Sequence, residues 1–184
     1  MEFQVHGALV EVLEVGVLLR GASSVGKSEC ALELAQRGHR LVADDVVRLE
    51  SRQAASKAEI VGFAPDLIRH YIEIRGIGLL HVRELYGEDS VRDECRVELI
   101  CVLEPWRQDV EYERIGLDRP RQILGGVPLP CLTLPVHPAR TMATLVEVAV
   151  RDHRQRLSGV NAAKRLDEAM RDGPAPLRSG GEAG

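Results

Sequence analysis

The chain has 184 residues, of which 45% are hydrophobic and 28% are charged, and its formal net charge is -4. This length fits one globular domain that buries about two thirds of its unfolded surface. The acidic balance provides no electrostatic footprint for phosphate backbones, so we expect no nucleic-acid partner. The chain has no apolar run of the roughly 20 residues that cross a bilayer and no signal-peptide core. We therefore expect a cytoplasmic protein without a membrane partner.

Aromatic residues make up only 3% of the chain, so the core is expected to be aliphatic. The four cysteines, Cys30, Cys95, Cys101 and Cys131, lack the paired short spacings of zinc sites. Nothing marks a secreted disulfide framework either. We interpret the cysteines as reduced thiols in or near the core.

The first part of the chain predicts a strand, a helix and a second strand around a glycine-rich turn. Residues 3–13 mix β-branched residues with partial alternation, which predicts a hairpin that leads into a buried strand over 16–19. Residues 28–37 have helical spacing, with Gly38 as the C-cap, and 41–43 form another short strand. This is a βαβ unit, whose strands run parallel across a right-handed connection. Phosphate chemistry is expected at its carboxyl edge.

Further strands are expected in the middle of the chain. The small polar residues 51–57 are predicted to form an exposed loop, followed by strands at 60–61 and 71–74. Residues 96–103 predict a stronger strand. Three prolines interrupt 127–136, so this segment is predicted to be edge strand or extended loop.

The last part of the chain predicts two helices and a tail. Pro138 fits the first turn of a helix that runs to about residue 154, and Gly159 separates it from a helix over about 161–171. Residues 1–172 are therefore expected to form one α/β domain with a central mixed sheet and two C-terminal helices. Residues 173–184 are rich in Gly, Pro and Ser, and are expected to be disordered.

An eight-residue motif follows the buried strand and opens the helix. It matches the Walker A pattern and consists of Gly21, Ala22, Ser23, Ser24, Val25, Gly26, Lys27 and Ser28. Its backbone N–H groups can point at the polyphosphate oxygens of ATP. Lys27 supplies a charge for the β- and γ-phosphates, and Ser28 offers its hydroxyl to Mg²⁺. The alternative is a chance glycine-rich turn, which the strand and helix on either side disfavour.

Asp44 and Asp45 lie where the next predicted strand ends. One of them can face the metal or its water shell while the other faces an incoming hydroxyl. Adjacent side chains on an extended backbone point in opposite directions, which suits a division between a metal helper and a general base. The alternative is an aspartate pair that caps a turn.

The chain resembles the catalytic domain of the HPr serine kinase/phosphorylase family. The resemblance rests on residues 16–19, the Walker A loop, 28–29, 31–34, 37–45, 73–78, 103–106, 112–117 and 147–149. The hexamer Glu73-Ile74-Arg75-Gly76-Ile77-Gly78 is the family's own signature, and the resemblance covers about residues 6–163. It implies a P-loop kinase domain that uses ATP and Mg²⁺ to phosphorylate a serine of the phosphocarrier protein HPr. Phosphorolysis of phospho-HPr with inorganic phosphate is a second activity of the family.

The resemblance also implies residue roles. It aligns His6, Lys27, Asp45 and Arg114 with the catalytic set, and Ser28 and Glu73 with the Mg²⁺-binding pair. In the family, the aspartate accepts the seryl proton during phosphorylation and returns one during dephosphorylation. From the residues alone, His6 fits a half-buried strand histidine, and Glu73 and Arg114 fit solvated surface charges.

Three further positions of the resemblance bear on function. Arg75 and Gly76 lie in a flexible stretch that could close over bound phosphates. The family usually has glycine where this chain has Ser24, so this serine must tolerate the local backbone. Residues 136–141 correspond to a segment used for dephosphorylation that commonly ends Gly-Arg-Asn, of which this chain keeps Arg140. The resemblance therefore supports the kinase direction more strongly than the phosphorylase direction.

Other functions remain open from the sequence. One is a P-loop kinase of the same lineage that acts on another protein or a small molecule, and another is a nucleotide-dependent switch. Asn161 is the only asparagine, so the guanine-reading motif Asn-Lys-x-Asp is absent. The resemblance implies a homo-hexamer. The helix over 161–171 alternates charged and apolar residues, as a helix at an interface or one packed on its own domain would.

Overall fold

The computed structural model describes residues 1–54 and 57–171, which form a nine-stranded mixed sheet, a two-stranded sheet and four α-helices. The strands are β1 (Glu2–His6), β2 (Ala8–Val12), β3 (Val15–Arg20), β4 (Arg40–Ala43), β5 (Val46–Ala54), β6 (Lys57–Phe63), β7 (Tyr71–Ile74), β8 (Gly78–His81), β9 (Glu94–Pro105), β10 (Arg121–Leu124) and β11 (Val127–Val136). The helices are α1 (Lys27–Gln36), α2 (Val82–Tyr86), α3 (Met142–Leu157) and α4 (Ala162–Arg171). The predicted α/β class with a mixed sheet and two C-terminal helices is confirmed, and the predicted tail at 173–184 lies outside the described residues.

The order of strands in the large sheet brings several strand ends to one edge. The sheet runs β1-β5-β6-β9-β3-β2-β4, and β11 adds to β9. Strands β3 and β11 are parallel to β9 and lie on its opposite edges. Strand β2 is antiparallel to both β3 and β4, so these two strands run parallel, as predicted, with β2 between them. The carboxyl ends of β3, β4, β9 and β11 therefore share one edge of the sheet.

The connection between β1 and β2 and the connection between β4 and β5 lie side by side at this edge. Only Gly7 separates β1 from β2, and only Asp44 and Asp45 separate β4 from β5. The two bends are joined, because the Gly7 N–H donates to the Asp45 carbonyl oxygen at 3.1 Å. The predicted hairpin over 3–13 is thus two strands broken at Gly7, of which the second pairs with β3. The bend places His6 beside the two aspartates.

Aliphatic residues cover both faces of the sheet. Val10, Leu19 and Leu103 pack with α1 and α3 on one face, while Leu18 and Ile100 belong to a second cluster on the other face. Near-continuous apolar runs such as β3 are typical of strands that are buried on both sides. The four cysteines are free thiols, three buried and one partly buried, as predicted.

Helix α1 carries the end of the Walker A motif. Its buried residues Lys27, Cys30, Ala31, Leu34 and Ala35 follow the helical period, so one face packs on the sheet. The helix ends where the Gly38 and His39 N–H groups donate to the Ala35 and Leu34 carbonyls, which is a Schellman motif. Gly38 has a left-handed φ of 90°, which confirms the predicted cap. None of the helices in the described ranges is long and apolar enough to cross a membrane.

The predicted loop at 51–57 is wrong for most of its length. Strand β5 continues to Ala54 and pairs antiparallel with β6, which begins at Lys57, while residues 55 and 56 are not described. The composition is polar because these strands are partly solvated, and backbone hydrogen bonds do not require apolar side chains. An ion pair also ties β5 to β9 across β6, since the Arg52 guanidinium donates to both carboxylate oxygens of Glu94 at 2.8 and 2.9 Å.

The predicted position of Pro138 is also wrong. Helix α3 begins at Met142 with Thr141 as its N-cap, and Pro138 lies before it in a turn. The Arg140 N–H donates to the His137 carbonyl at 2.9 Å, which puts proline at the second position of a four-residue turn. Proline favours both places because each needs a φ near -65°. The preceding segment is strand β11, and the predicted edge position is confirmed only in part, because its first four residues pair with β10 and its last six pair with β9. Its three prolines lie in these two halves.

Candidate active site

The Walker A loop is shaped by backbone conformations that favour glycine. Gly21 follows β3 with a φ of 142°, and a Cβ atom there would lie 2.2 Å from the Leu103 carbonyl oxygen of β9. Gly26 has a φ of 97° and precedes α1 without a side-chain cap. The first N–H groups of α1 therefore have no side-chain partner from the N-cap, and they form a positive end that suits phosphate oxygens.

Lys27 is held inside this loop. Its side chain is buried, and Nζ donates to the carbonyl oxygens of Gly21 at 3.1 Å and Ala22 at 2.9 Å. Burial lowers the pKa of Lys27, and the charges of Asp44 and Asp45 oppose this effect. The lysine thus presents a positive charge in a partly desolvated position, where it acts strongly on a neighbouring anion.

Asp44 faces the end of the Walker A motif. The Ser28 hydroxyl lies 3.0 and 2.9 Å from its two carboxylate oxygens, and the side chain is only 5% exposed. Burial raises the pKa of Asp44 to about 6, against the lowering effect of hydrogen bonds from Ser28 and from the backbone of Asp45 and Glu73. The arrangement joins a hydroxyl and a carboxylate at the point where a metal on the nucleotide phosphates would lie.

Asp45 points to a different partner. Its carboxylate oxygen lies 3.1 Å from Nδ1 of His6, and both side chains are more than half exposed. The predicted divergence of the two aspartates is present, but its cause is different from the one we expected. Asp45 has a left-handed φ of 65° because it lies in the bend between β4 and β5, so the backbone is not extended there.

The signature hexamer lies on the β7–β8 hairpin at the mouth of the same site. Glu73 is exposed on β7, and the Arg75 guanidinium donates to the Ser24 hydroxyl at 2.6 Å. Gly76 has a φ of 87°, and a Cβ atom added there would meet no other atom within 4 Å, so backbone conformation and not space favours glycine. The hairpin thereby connects the signature to the Walker A loop.

These elements enclose one polar cleft of about 260 Å³, which we call the P-loop cleft. Its lining residues are His6, Ser23, Ser24, Gly26, Lys27, Ser28, Glu29, Asp44, Asp45, Glu73 and Arg75. All of them except Glu29 belong to the predicted site. Glu29 follows the motif in the first turn of α1, and its position after Ser28 is the signal that could have indicated it.

Comparison with known proteins places the chain in a family. The family model described as "HPr Serine kinase C-terminal domain" matches residues 1–170. The chain belongs to this family. It is 47% identical to the HPr kinase/phosphorylase of Thermoanaerobacter sp. (strain X514) over 169 residues, which are 92% of this chain and 54% of that protein. It is 51% identical to the HPr kinase/phosphorylase of Caldicellulosiruptor bescii over 90% of this chain and 52% of that protein.

The fold of this HPr serine kinase C-terminal domain also matches a solved structure of the family. The Hpr(Ser) kinase/phosphatase from Coxiella burnetii matches with a TM-score of 0.75 and 31% identity, over 91% of this chain and 99% of that one. The chain spans about half the length of the curated relatives it matches. The P-loop kinase fold that the sequence predicts is thus confirmed.

Two predicted site residues outside the Walker A loop and the signature hexamer lie in a different cavity of this family member. Arg114 and Arg140 are not among the residues that line the P-loop cleft, and both line a second cavity, which we call the Trp106 cavity. Arg114 lies on the long connection between β9 and β10, and Arg140 lies in the turn before α3. The sequence could not place them, because the position of a loop depends on tertiary contacts that no local pattern encodes.

The donor set of the cleft suits a magnesium ion that arrives with a nucleotide. The Ser28 hydroxyl and the carboxylates of Asp44 and Glu73 are hard oxygen donors, which Mg²⁺ prefers. Within residues 1–54 and 57–171, no group of three or more His, Cys, Asp or Glu side chains could hold a metal ion by itself. Mg²⁺ commonly takes one or two protein carboxylates and completes its shell with phosphates and water. The residues present therefore fit this ion.

Proposed function

We propose that this domain transfers the γ-phosphoryl group of Mg-ATP to a serine of the phosphocarrier protein HPr. One observation carries the proposal: a Walker A loop that can bind phosphates lies beside two aspartates that face different partners. Asp44 contacts the Ser28 hydroxyl, and Asp45 contacts His6. The first arrangement serves the nucleotide and the second is open to an acceptor. The names of the relatives supply the acceptor, since the proteins of Thermoanaerobacter and Caldicellulosiruptor are called HPr kinase/phosphorylase.

The nucleotide phosphates would lie on the N-terminus of α1. Lys27 would exchange its two carbonyl contacts for the β- and γ-phosphate oxygens, where negative charge accumulates during transfer. Ser28 and Glu73 would hold Mg²⁺, and Asp44 would orient the hydroxyl of Ser28. When bound, the ion neutralises charge on the transferred group. Arg75 would hold the β7–β8 hairpin over the phosphates through its contact with Ser24.

The acceptor would approach from the side of His6 and Asp45. Asp45 accepts the seryl proton as the serine oxygen bonds to the γ-phosphorus and the bond to ADP breaks. His6 Nδ1 lies close enough to donate a hydrogen bond to this carboxylate and so fix its orientation. The exposure of both side chains suits an acceptor as large as a protein. The role of Arg114 in neutralising the phosphoryl group would require movement of the loop that carries it.

Phosphorolysis of phospho-HPr would use the same cleft in reverse. Inorganic phosphate would occupy the position of the γ-phosphate, and protonated Asp45 would return its proton to the serine oxygen. In this chain Arg140, the residue retained from the dephosphorylation segment, stacks on Trp106 with 5.0 Å between the guanidinium carbon and the ring centroid. The reverse activity is therefore the less supported half of the proposal.

Intact mass of purified HPr tests both directions. HPr is incubated with this domain and Mg-ATP, and the product is then moved into excess phosphate without ATP. Gain of one phosphate followed by its loss would support both activities, and gain without loss would support the kinase alone. No gain would contradict the proposal and point to another acceptor protein, a small molecule or a switch function.

Helix α4 supports a proposal of self-association. None of its residues is buried, and Leu166 and Met170 are 61% and 74% exposed on its apolar face. Large apolar side chains exposed together are typical of interfaces. We expect a homo-hexamer, as the family resemblance implies, and light scattering after size exclusion would measure its mass. A monomer at micromolar concentration would contradict this expectation.

A further inference from the structure

Arg20 is the last residue of β3 and directly precedes the Walker A loop. Side chains of a strand alternate between the two faces of the sheet, so Arg20 lies on the same face as Leu18. Leu18 belongs to the apolar cluster on the face that does not carry α1. The backbone of Arg20 therefore joins the Walker A motif, while its side chain extends to the face of the sheet opposite the helix of that motif.

Arg20 is partly buried, and the part of the chain that the structure describes offers its guanidinium no hydrogen bond or ion pair. The other partly buried arginines in the described ranges each pair with a carboxylate; they are Arg52, Arg69, Arg119 and Arg156. A guanidinium carries five N–H donors and no acceptor, and burial makes donors without a partner costly. An anion that bound to Arg20 would remove this cost.

A cavity of about 560 Å³ lies in front of this side chain, and we call it the Arg20 cavity. Its lining residues are Gln4, Val5, His6, Arg20, Gly21, Val102 and Gln122. None of these described residues is acidic, so the lining contains nothing that could neutralise the guanidinium. The Arg20 cavity shares His6 with the P-loop cleft, and it therefore adjoins the cleft on the side where Asp45 contacts that histidine.

The charges around the Arg20 cavity suit a ligand with one negative charge. The Asp45 carboxylate lies 3.1 Å from His6 Nδ1 and balances a positive charge on that ring, which leaves Arg20 as the uncompensated charge. The Gln122 amide oxygen accepts a hydrogen bond from the Cys131 thiol at 3.8 Å, so its NH2 group is the end that can donate to a ligand. A carboxylate accepts such hydrogen bonds, and arginine can bind it through two parallel N–H···O bonds. A phosphate dianion would keep one charge without a partner here.

We propose that the Arg20 cavity binds an acidic side chain of the acceptor protein and so positions the acceptor's serine at Asp45. The inference rests on the proposed function, because that function brings a seryl hydroxyl to the side of His6 and Asp45. The cavity and the P-loop cleft share His6, so a carboxylate and a serine on one face of the acceptor can occupy both places together. Arg20 then selects the acceptor and takes no part in the transfer of the phosphoryl group.

Initial rates of HPr phosphorylation, followed by intact mass, test the role of Arg20. Arg20→Gln keeps a long polar side chain without the charge, and it is expected to raise KM for HPr about tenfold with kcat nearly unchanged. Mg-ATP affinity, measured by calorimetry, should stay the same, which also shows that the variant is folded. The matched control is Arg151→Gln, since Arg151 is exposed on α3 and lines neither the Arg20 cavity nor the P-loop cleft. An unchanged KM for HPr in Arg20→Gln would overturn the inference.

A double-mutant cycle tests the class of ligand. The carboxylates of HPr are neutralised one at a time, aspartate to asparagine and glutamate to glutamine, and each HPr variant is assayed with the unmodified domain and with Arg20→Gln. One HPr variant is expected to raise KM about tenfold with the unmodified domain and to have little further effect with Arg20→Gln. A raised KM in Arg20→Gln to which no HPr carboxylate is coupled would overturn the inference. If the unmodified domain transferred no phosphate to HPr, the proposed function would fail and this inference with it.

Discussion

The P-loop cleft and the Trp106 cavity lie on one edge of the sheet, yet they are built in different ways. In the cleft, backbone groups, one lysine and several carboxylates surround a small polar space, and the left-handed residues Ser24, Gly26 and Asp45 fix its shape. In the cavity, side chains of Trp106 and Tyr112 and apolar residues form a larger space whose charges balance. The difference teaches that one sheet edge can carry a small charged cleft and a larger cavity with balanced charges and aromatic walls side by side.

The largest expected effect lies on the acceptor side of the cleft. Asp45→Asn should lower phosphoryl transfer to HPr about a thousandfold, because a positioned base typically contributes about 10²–10⁴. Asp45 contacts His6 and not the phosphate cradle, so Mg-ATP affinity should change little. Transfer is followed by intact mass and binding by calorimetry. Loss of nucleotide binding would show that Asp45 serves the nucleotide, and Asp66→Asn, an exposed aspartate outside the cleft, is the control.

The Lys27→Ala variant tests the role of the P-loop cleft in phosphate binding and transfer. Turnover should fall by about a hundredfold, because the change removes a partly desolvated charge from the place where transition-state charge accumulates. Affinity for Mg-ATP and for Mg-tripolyphosphate should fall together, because both ligands place phosphate oxygens against Lys27. Steady-state kinetics and calorimetry measure the two quantities. Turnover near the unmodified value would contradict the P-loop assignment.

The two regions also differ in how far the sequence can predict them. The Walker A loop and the strands on either side are predictable because each residue type there is needed for a local backbone conformation or for the period of its element. Asp44 and Asp45 follow from the end of β4. The position of Arg114 and Arg140 does not follow, because each lies on a connection whose path is set by packing against Trp106 and β11. The bend at Gly7 escapes prediction for the same reason, since it depends on a hydrogen bond to Asp45, which is distant in the sequence.

A smaller effect concerns the buried carboxylate of the cleft. The pKa of Asp44 is raised from 3.8 to about 6. Between about pH 4 and pH 6, Asp44 is therefore protonated in the folded protein and ionised in the unfolded chain. The associated stability is present below about pH 4 and is lost as pH rises through about 6. Asp44→Asn should therefore raise the free energy of unfolding by about 1–3 kcal/mol at about pH 8 and by less at about pH 4.

Denaturant unfolding at both pH values in the presence of a chelator measures this difference. The chelator keeps divalent ions from stabilising the ionised carboxylate. An equal gain at the two pH values would mean that the substitution acts through packing and not through charge. In the Trp106 cavity the dependence has the opposite sign, because the backbone N–H groups of Gly116 and Ile115 lower the pKa of Glu113, so its contribution to stability is lost as pH falls.

The smallest expected effect is a difference in stability between two variants of Ser24, which distinguishes backbone strain from the loss of a side-chain contact. This residue has a φ of 68°, and its hydroxyl accepts a hydrogen bond from Arg75 at 2.6 Å. Ser24→Gly and Ser24→Ala both remove that hydrogen bond, but only alanine keeps the cost of a Cβ atom in the left-handed region. The glycine variant should therefore be more stable than the alanine variant by about 1 kcal/mol in denaturant unfolding. Equal stabilities would mean that the loop relaxes when the contact with Arg75 is lost, so that the hairpin, and not the Walker A backbone alone, sets the shape of the cleft.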